Sequence, residues 1–396
     1  MVDKKLHTLI IGAGMTGLLV AQGLKKVGED SAVLRANLPF TIFEYETSTT
    51  YQSRPREWGM TLHWGSTHID KCLPPELSAR FSEAYADPSL SLDATSGLPV
   101  HNGKTGELIL EMAGEKPMRV SRKKMRNLFM EGIDVQYGKS VVSCRVIEDK
   151  TDEDNGRVRV KFADGTDALG DVVVGCDGAK SVVRENIVGV EAAQVTVVPL
   201  SMFNFTQKFP AEFSKDLRIQ DVPDPSAPET WTYQVIMSWI HNPLPHSENN
   251  YEGRMKFFKK RAEEWAEPWR TAGRLVKEDT KIPMDAGTYW EKARKWDNRQ
   301  GRMTISGDAA HPMTPHRGQG LNNALQDSSN FVAAMIHVDK GEKTLADAID
   351  AYDNEVLERG MLEMEISLKQ TMFIHNWDTL MQSPMVKMGM HQAKKE

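Results

Sequence analysis

The sequence predicts an α/β protein: a doubly wound parallel sheet, an inserted and mostly β unit, and helices towards the C-terminal end. Three observations predict it. An apolar run at 6–11 passes straight into Gly12 and a helical pattern, and a second apolar run follows at 40–43. A later apolar run, 302–306, opens into a second Gly-rich loop and a second helix. Between them, from about 190 to 290, strand-like pieces at 195–205 and 231–239 alternate with Pro-containing loops at 222–228 and 242–246. These features divide the chain into 1–190 and 296–396, which build the doubly wound unit and the C-terminal helices, and 191–295, the β-rich insertion.

Each element has its own reason. Residues 6–11 are a short, mostly apolar run of the kind that makes a strand covered on both faces. Residues 15–27 present Leu18, Leu19, Ala21 and Leu24 for burial, and 40–43 form a strand that ends in Glu44. Strand, turn, helix and strand open a βαβ unit. Residues 29–37 read as an insertion before the second strand. A strand at 108–110, a basic helix beginning near Ser121 and a strand at 141–146 come next. Over 147–170 a hairpin is expected, because Val158 and Val160 alternate with charged residues and Asp164-Gly165 is a turn dipeptide. Residues 171–175 make another buried strand, which runs into Cys176-Asp177-Gly178. The charged, Trp-bearing segment 252–277 reads as helical. After the loop 307–320 and a helix at 321–338, Leu345, Ile349, Tyr352 and Val356 recur on one helical stripe. Residues 385–396 read as frayed.

Composition narrows the function classes. With 26% charged and 40% hydrophobic residues the chain is ordinary globular material, not a long disordered one. A net charge of −6 disfavours nucleic acid and anionic lipid as partners. The three cysteines, Cys72, Cys144 and Cys176, lack CxxC spacing, so no disulfide framework or zinc site follows and a reducing compartment fits. Lys4, Lys5 and the apolar stretch to Val20 superficially resemble a secretory signal, but Gly12, Gly14 and Gly17 interrupt it and no small-residue cleavage site follows. No other stretch approaches the roughly 20 apolar residues of a membrane span. The expectation is a cytoplasmic monomer or homodimer.

Gly12-Ala13-Gly14-Met15-Thr16-Gly17 is GxGxxG after a strand and at the opening of a helix. The first glycine permits the tight turn, the second lets a pyrophosphate approach the backbone, and the third lets helix and strand pack closely. Glu44 can accept both ribose hydroxyls of an adenosine. Its distance from Gly12 exceeds the usual ~20 residues, because of the 29–37 insertion.

The stretch from Gly307 to Gly320, Gly-Asp-Ala-Ala-His-Pro-Met-Thr-Pro-His-Arg-Gly-Gln-Gly, resembles the GDAAHxxxPxxGxG signature of the FAD-dependent aromatic-hydroxylase family, the group A flavoprotein monooxygenases. Cys176-Asp177-Gly178 through Arg184 is similar to that family's DG marker, and the three markers stand in the family's order. The resemblance implies a glutathione-reductase-like, Rossmann-type FAD-binding domain. In it Gly12, Gly14 and Gly17 would hold the FAD pyrophosphate, Glu44 the ribose, and Arg122 the cofactor from a helix start. Asp308 would bond the ribityl chain, while Gly318, Gly320 and Leu321 would lie at the flavin's pyrimidine end and Pro315 beside the ring. Asp177 and Gly178 would serve a shared FAD and NADPH site. Arg54 to Gly59 is similar to an Arg/Gly element flanking the flavin, with Arg56 favoured over Arg54. His63, Trp64, Tyr233, Trp239 and His316 would line a substrate pocket or be core and loop residues; Tyr233, Val235, Met237 and Trp239 share one strand face. The pattern from Trp58 to Trp64 resembles fungal secondary-metabolite members.

The implied reaction uses NADPH to reduce the flavin and O2 to form a flavin hydroperoxide, whose distal oxygen goes to a hydrophobic aromatic or polycyclic small molecule. Such chemistry belongs to the cofactor, so no Ser-His-Asp or paired-carboxylate set is expected. Hydroxylation, epoxidation and Baeyer–Villiger insertion share this machinery and stay open, as do a flavin oxidase or dehydrogenase and a non-catalytic nucleotide-binding regulator. A disulfide oxidoreductase would need a CxxxxC pair, which the cysteine spacing denies.

Overall fold

The computed structural model describes residues 5–26, 38–54, 57–87, 98–112, 118–149, 151–214, 222–240 and 244–383. The expectations for 29–37, for Arg56 and for 385–396 lie outside the described residues. The chain opens with β1 (Thr8–Ile11), α1 (Met15–Lys26) and β2 (Phe40–Glu44). The antiparallel pair β3 (Gly59–Leu62) and β4 (Met118–Ser121) leads into α2 (Arg122–Met130) and β5 (Val135–Tyr137). Ser121 caps α2, its hydroxyl accepting the Lys124 N–H.

A three-stranded antiparallel sheet follows: β6 (Val141–Val146), β7 (Val158–Phe162) and β8 (Asp167–Gly170). The hairpin turns at Asp164-Gly165, with Gly165 at φ +83°, and β6 joins as a third strand that the sequence pattern had kept separate. Then come β9 (Val172–Gly175) and α3 (Val182–Val188).

The insertion is an antiparallel sheet with β10 (Thr196–Gln207) between β11 (Tyr233–Ile240) and β12 (Met284–Tyr289). Helices α4 (Tyr251–Ala262) and α5 (Trp269–Leu275) cover it. The single helical segment expected at 252–277 is therefore two helices: the first ends at Ala262 and the second starts after Pro268. Last come β13 (Met303–Ile305), α6 (Gly320–Asp339) and α7 (Leu345–Ile374).

The main sheet has the order β13-β9-β1-β2-β5, and every pairing is parallel. β1 and β9 are buried at every residue, as strands covered on both faces must be. One apolar cluster, from Leu9 to Val356 and Met364, packs the helices on this sheet, and a second, around Phe203, Phe205 and Phe258, lies inside the insertion.

Helix α7 is tied to β13 by Asp353, which accepts the Thr304 hydroxyl at 2.5 Å and the Asn298 amide at 2.8 Å. Burial pushes its carboxyl up to about 7 in spite of these bonds. The folded chain thus holds a proton that the unfolded chain releases near 3.8. The stability from this linkage is present below about pH 4 and lost as pH rises through about 7. Urea midpoints from about pH 5 to about pH 8 should fall more steeply for the parent than for Asp353→Asn; parallel curves would contradict the assignment.

Candidate active site

Parallel strands bring their C-terminal ends to one edge, where ligands of open α/β sheets collect. Gly12–Gly17 follows β1, Glu44 ends β2, Asp177-Gly178 follows β9, and Gly307-Asp308 follows β13. The three glycines of the first turn differ in kind. Gly12 has φ +102°, and a Cβ there would stand 2.5 Å from the Cys176 carbonyl oxygen. At Gly17 a Cβ would fall 2.0 Å from the Gly12 oxygen, so this glycine serves the contact of helix and strand. Around Gly14 nothing lies within 4 Å of a Cβ. That glycine borders open space. Glu44 is buried and accepts the Ala13 N–H at 2.9 Å and the Glu46 N–H at 3.1 Å, which fixes it beneath the turn.

Positive charge gathers beside the turn although the chain is acidic. The Tyr51 hydroxyl donates to the Ala13 carbonyl at 2.5 Å. Arg54 lies 4.9 Å and Arg126 4.5 Å from the Tyr51 ring centre. Arg54 also pairs with Glu46 at 2.6 Å and approaches Glu44 at 3.7 Å, which sets it at the Glu44 end of the cleft. Arg122 stacks on Trp58 at 4.5 Å, and burial lowers its pKa, with Arg54 and Arg126 adding to the effect.

Asp308 is solvent-exposed although protein surrounds it closely, so its surface is the wall of a cleft. Burial raises its pKa, and the His311 and Arg122 charges only partly offset this. Among the described residues no hydrogen bond or ion pair holds its carboxylate. A Cβ on Gly320 would sit 3.9 Å from Asp308 Oδ1, so the start of α6, which no side chain caps, meets Asp308.

Beneath this loop lies a buried ionic set. Asp327 Oδ2 accepts the Gly307 N–H at 2.7 Å and meets His311 Nε2 at 2.7 Å, while Arg359 donates to Oδ1 at 2.5 Å. Burial alone would raise Asp327, but the His311 and Arg359 charges outweigh it and hold it at about 2. Arg184, 1% exposed, donates to the carbonyls of Ala309 and Ala179 and so joins the loops after β13 and β9. Asn322 accepts the His63 N–H at 2.8 Å and donates to the Gly318 carbonyl at 3.0 Å. His63 therefore borders Gly318.

Over the loop stands one face of the inserted sheet. Gln234 accepts the Gly59 N–H at 3.1 Å and also bonds Arg119. Four residues on, Ser238 meets His316 at 3.1 Å and His375 at 2.9 Å. Between these two anchors Ile236 is 52% exposed. The sheet is thus tied down at two points on this face, with an exposed apolar residue between them. The sequence left Tyr233, Val235, Met237 and Trp239, on the other face, open between pocket and core. Tyr233 is 2% exposed and lies 5.3 Å from Phe209, ring centre to ring centre, while Val235, Met237 and Trp239 pack on the insertion's own core. Alternate residues of a strand point to opposite sides, and the amphipathic face was buried under α4. Tyr233 is thus not brought together with Pro315, His63 and Asp308.

Residues 119–366 match the family described as FAD binding domain. Over its whole length the chain is 35% identical to the FAD-dependent monooxygenase phnB of Penicillium herquei, covering 99% of that protein. Over 98% of its length it is 32% identical to the FAD-dependent monooxygenase cctM of Talaromyces islandicus, covering 97% of that one. The chain belongs to the FAD-dependent monooxygenases. Both relatives are fungal, in line with the resemblance to fungal secondary-metabolite members of the family. The fold of this monooxygenase is similar to that of Klebsiella pneumoniae HpxO complexed with FAD and uric acid, with a TM-score of 0.69 at 17% identity over 95% of this chain and 90% of that one.

The residues present fit FAD. Gly14 leaves the backbone open to a pyrophosphate, and Asp177 Oδ1 and Arg126 Nε and Nη1 are buried without a hydrogen-bond partner among the described residues. Among the described residues no group of His, Cys, Asp and Glu could hold a metal, and no helix is long and apolar enough to cross a membrane.

Sequence reasoning assigned no role to Tyr51, Asp327, Arg359, Gln234 or Ser238. Asn322, Asn323 and Asp327 could have been found, because they fall on the helix face that Ala324, Leu325, Phe331 and Met335 bury. With no partner for its carboxylate among the described residues, Asp308 should matter to the ligand more than to the fold. Asp308→Ala should weaken FAD by about 10- to 100-fold and leave the apo melting temperature unchanged or raised. Titration of the apo variant with FAD checks this; unaltered affinity with a lowered melting temperature would refute it.

Proposed function

We propose that this monooxygenase uses NADPH and O2 to oxygenate a hydrophobic aromatic or polycyclic small molecule in secondary metabolism, held between the cofactor loop and the inserted sheet. The observation that carries this reading is exposed, apolar Ile236 on a strand face that Gln234 ties to Gly59 and Ser238 ties to His316 of the loop. FAD, when bound, supplies the redox chemistry: it takes electrons from NADPH and activates O2 for transfer of one oxygen atom. The chain's own work is placement and exclusion of water. Gly12, Gly14 and Gly17 with Arg126 would seat the pyrophosphate, Glu44 the ribose, and Asp308 the ribityl hydroxyls. The first N–H groups of α6, at Gly320 and Leu321, would face the pyrimidine end and favour negative charge there. Pro315 and His63 would border the ring, with Gly59 on the β3 side and Gly318 in its left-handed conformation (φ +64°) at the turn. Asp177 and Gly178 support a shared cofactor edge, and residues 191–295 form the proposed substrate-facing unit.

The FAD-loaded protein should consume NADPH faster in the presence of some members of a panel of aromatic and polycyclic compounds, with product one oxygen heavier. Bulk introduced on this face should uncouple the reaction: Ile236→Trp should cut product per NADPH by about tenfold, raise hydrogen peroxide and leave FAD content unchanged. No oxygenated product from any panel member would favour the oxidase or regulator reading.

A further inference from the structure

We propose that the outward face of the second half of α7 is an interface for a second copy of this chain, whose own α7 lies antiparallel to it across a two-fold axis. Helix α7 is 30 residues long and carries three kinds of surface. Its inward stripe backs the site: a Cβ on Gly360 would stand 2.9 Å from His311, and the Thr371 hydroxyl donates to Thr314 Oγ1 at 2.8 Å. On the outward side the first half presents Asp347, Asp350, Asn354 and Glu358, all exposed, as a solvated helix face does.

From Met361 onward the same side of the same helix changes character. Its exposed residues are Met361, Leu362, Glu365, Lys369 and Met372, with Met361 46% and Leu362 55% open to solvent. Ile366, Leu368 and Phe373 flank them, half-buried. The result is a continuous apolar strip with one charged pair, Glu365 and Lys369, at its centre. Single exposed apolar residues are ordinary, but a contiguous strip of them marks a surface that something covers.

The order of the residues selects the occupant. Reversed about position 367 the strip reads onto itself: Met361 falls opposite Phe373, Leu362 opposite Met372, and Glu365 opposite Lys369. Two identical helices packed antiparallel make those pairings twice, since a two-fold interface uses one patch against itself. Both ends of the contact are then apolar on apolar, and its middle holds two pairs of opposite charge. A parallel pairing would set Glu365 on Glu365 and Lys369 on Lys369. An anionic membrane is a poor match, because Glu365 stands within the strip and the outward face before it is acidic. Residues 361–373 span about 18 Å of helix. A contact of that length belongs with small interfaces, so the dimer should form in the micromolar range.

Sedimentation equilibrium on the FAD-loaded protein, from about 1 to 200 μM, should show a reversible monomer–dimer exchange. Leu362→Glu, which sets an acid against the partner's methionine, should raise the dissociation constant by at least about tenfold. Glu365→Lys and Lys369→Glu each bring like charges together twice and should each weaken the dimer by about tenfold. The variant that carries both changes restores the opposite-charge pairs and should dimerise like the parent. FAD content should be equal in all four variants, since these residues point away from the site. A parent that stays monomeric across the range would overturn the proposal and leave the strip to another occupant, such as a lipid surface. The proposal fails equally if the double variant is as weak as the single ones, or if Leu362→Glu dimerises like the parent.

Discussion

The Asp327 carboxylate, fully buried, is the contact on which the site depends. Its two oxygens hold the Gly307 N–H, His311 and Arg359 at once, so strand β13, the loop after it, helix α6 and helix α7 are fixed relative to one another. A buried carboxylate is costly unless every lone pair is matched, and breaking such a set by removing one partner typically costs about 3–5 kcal/mol. Here the matching decides where Gly307 sits, and Gly307 decides where Asp308 points. The residue proposed to bond the cofactor is thus placed by one that lies beneath the loop.

The parallel sheet gives the cleft its direction. With all five strands aligned, the first glycine turn, Glu44, the Asp177 loop and the Asp308 loop must emerge along one edge, although they are spread over some three hundred residues of sequence. Arg184 then cross-braces two of these loops through their backbone carbonyls. Arg54, Arg122 and Arg126 make the ground beside the first turn locally positive in a chain of net charge −6, which would suit an anion there.

What was legible in the sequence was whatever a short stretch determines by itself. Gly12 and Gly17 announce their turn because only glycine tolerates their contacts, Gly14 by its place between them, and the run into Asp308 announces a buried strand with a loop at its end. The hairpin turn at Asp164-Gly165 and the Leu345 stripe were legible for the same reason. Long-range choices were not. Which face of β11 meets the cofactor loop depends on α4 covering the other face, and no pattern within 231–239 states that. Arg359 and Arg126 look like surface charges until Asp327 and Tyr51 are seen beside them. Arg54, the arginine not favoured in the Arg54–Gly59 element, pairs with Glu46 and approaches Glu44, contacts that no local pattern states.

The central claim is that the space over Gly14 belongs to the cofactor pyrophosphate, and a side chain placed there tests it most directly. Gly14→Val puts its Cβ where, chain neighbours aside, no described atom lies within 4 Å, so the apo fold has little reason to suffer. The account predicts an apo melting temperature within about 2 °C of the parent and FAD affinity reduced by at least about 100-fold. FAD bound as tightly as in the parent would contradict it.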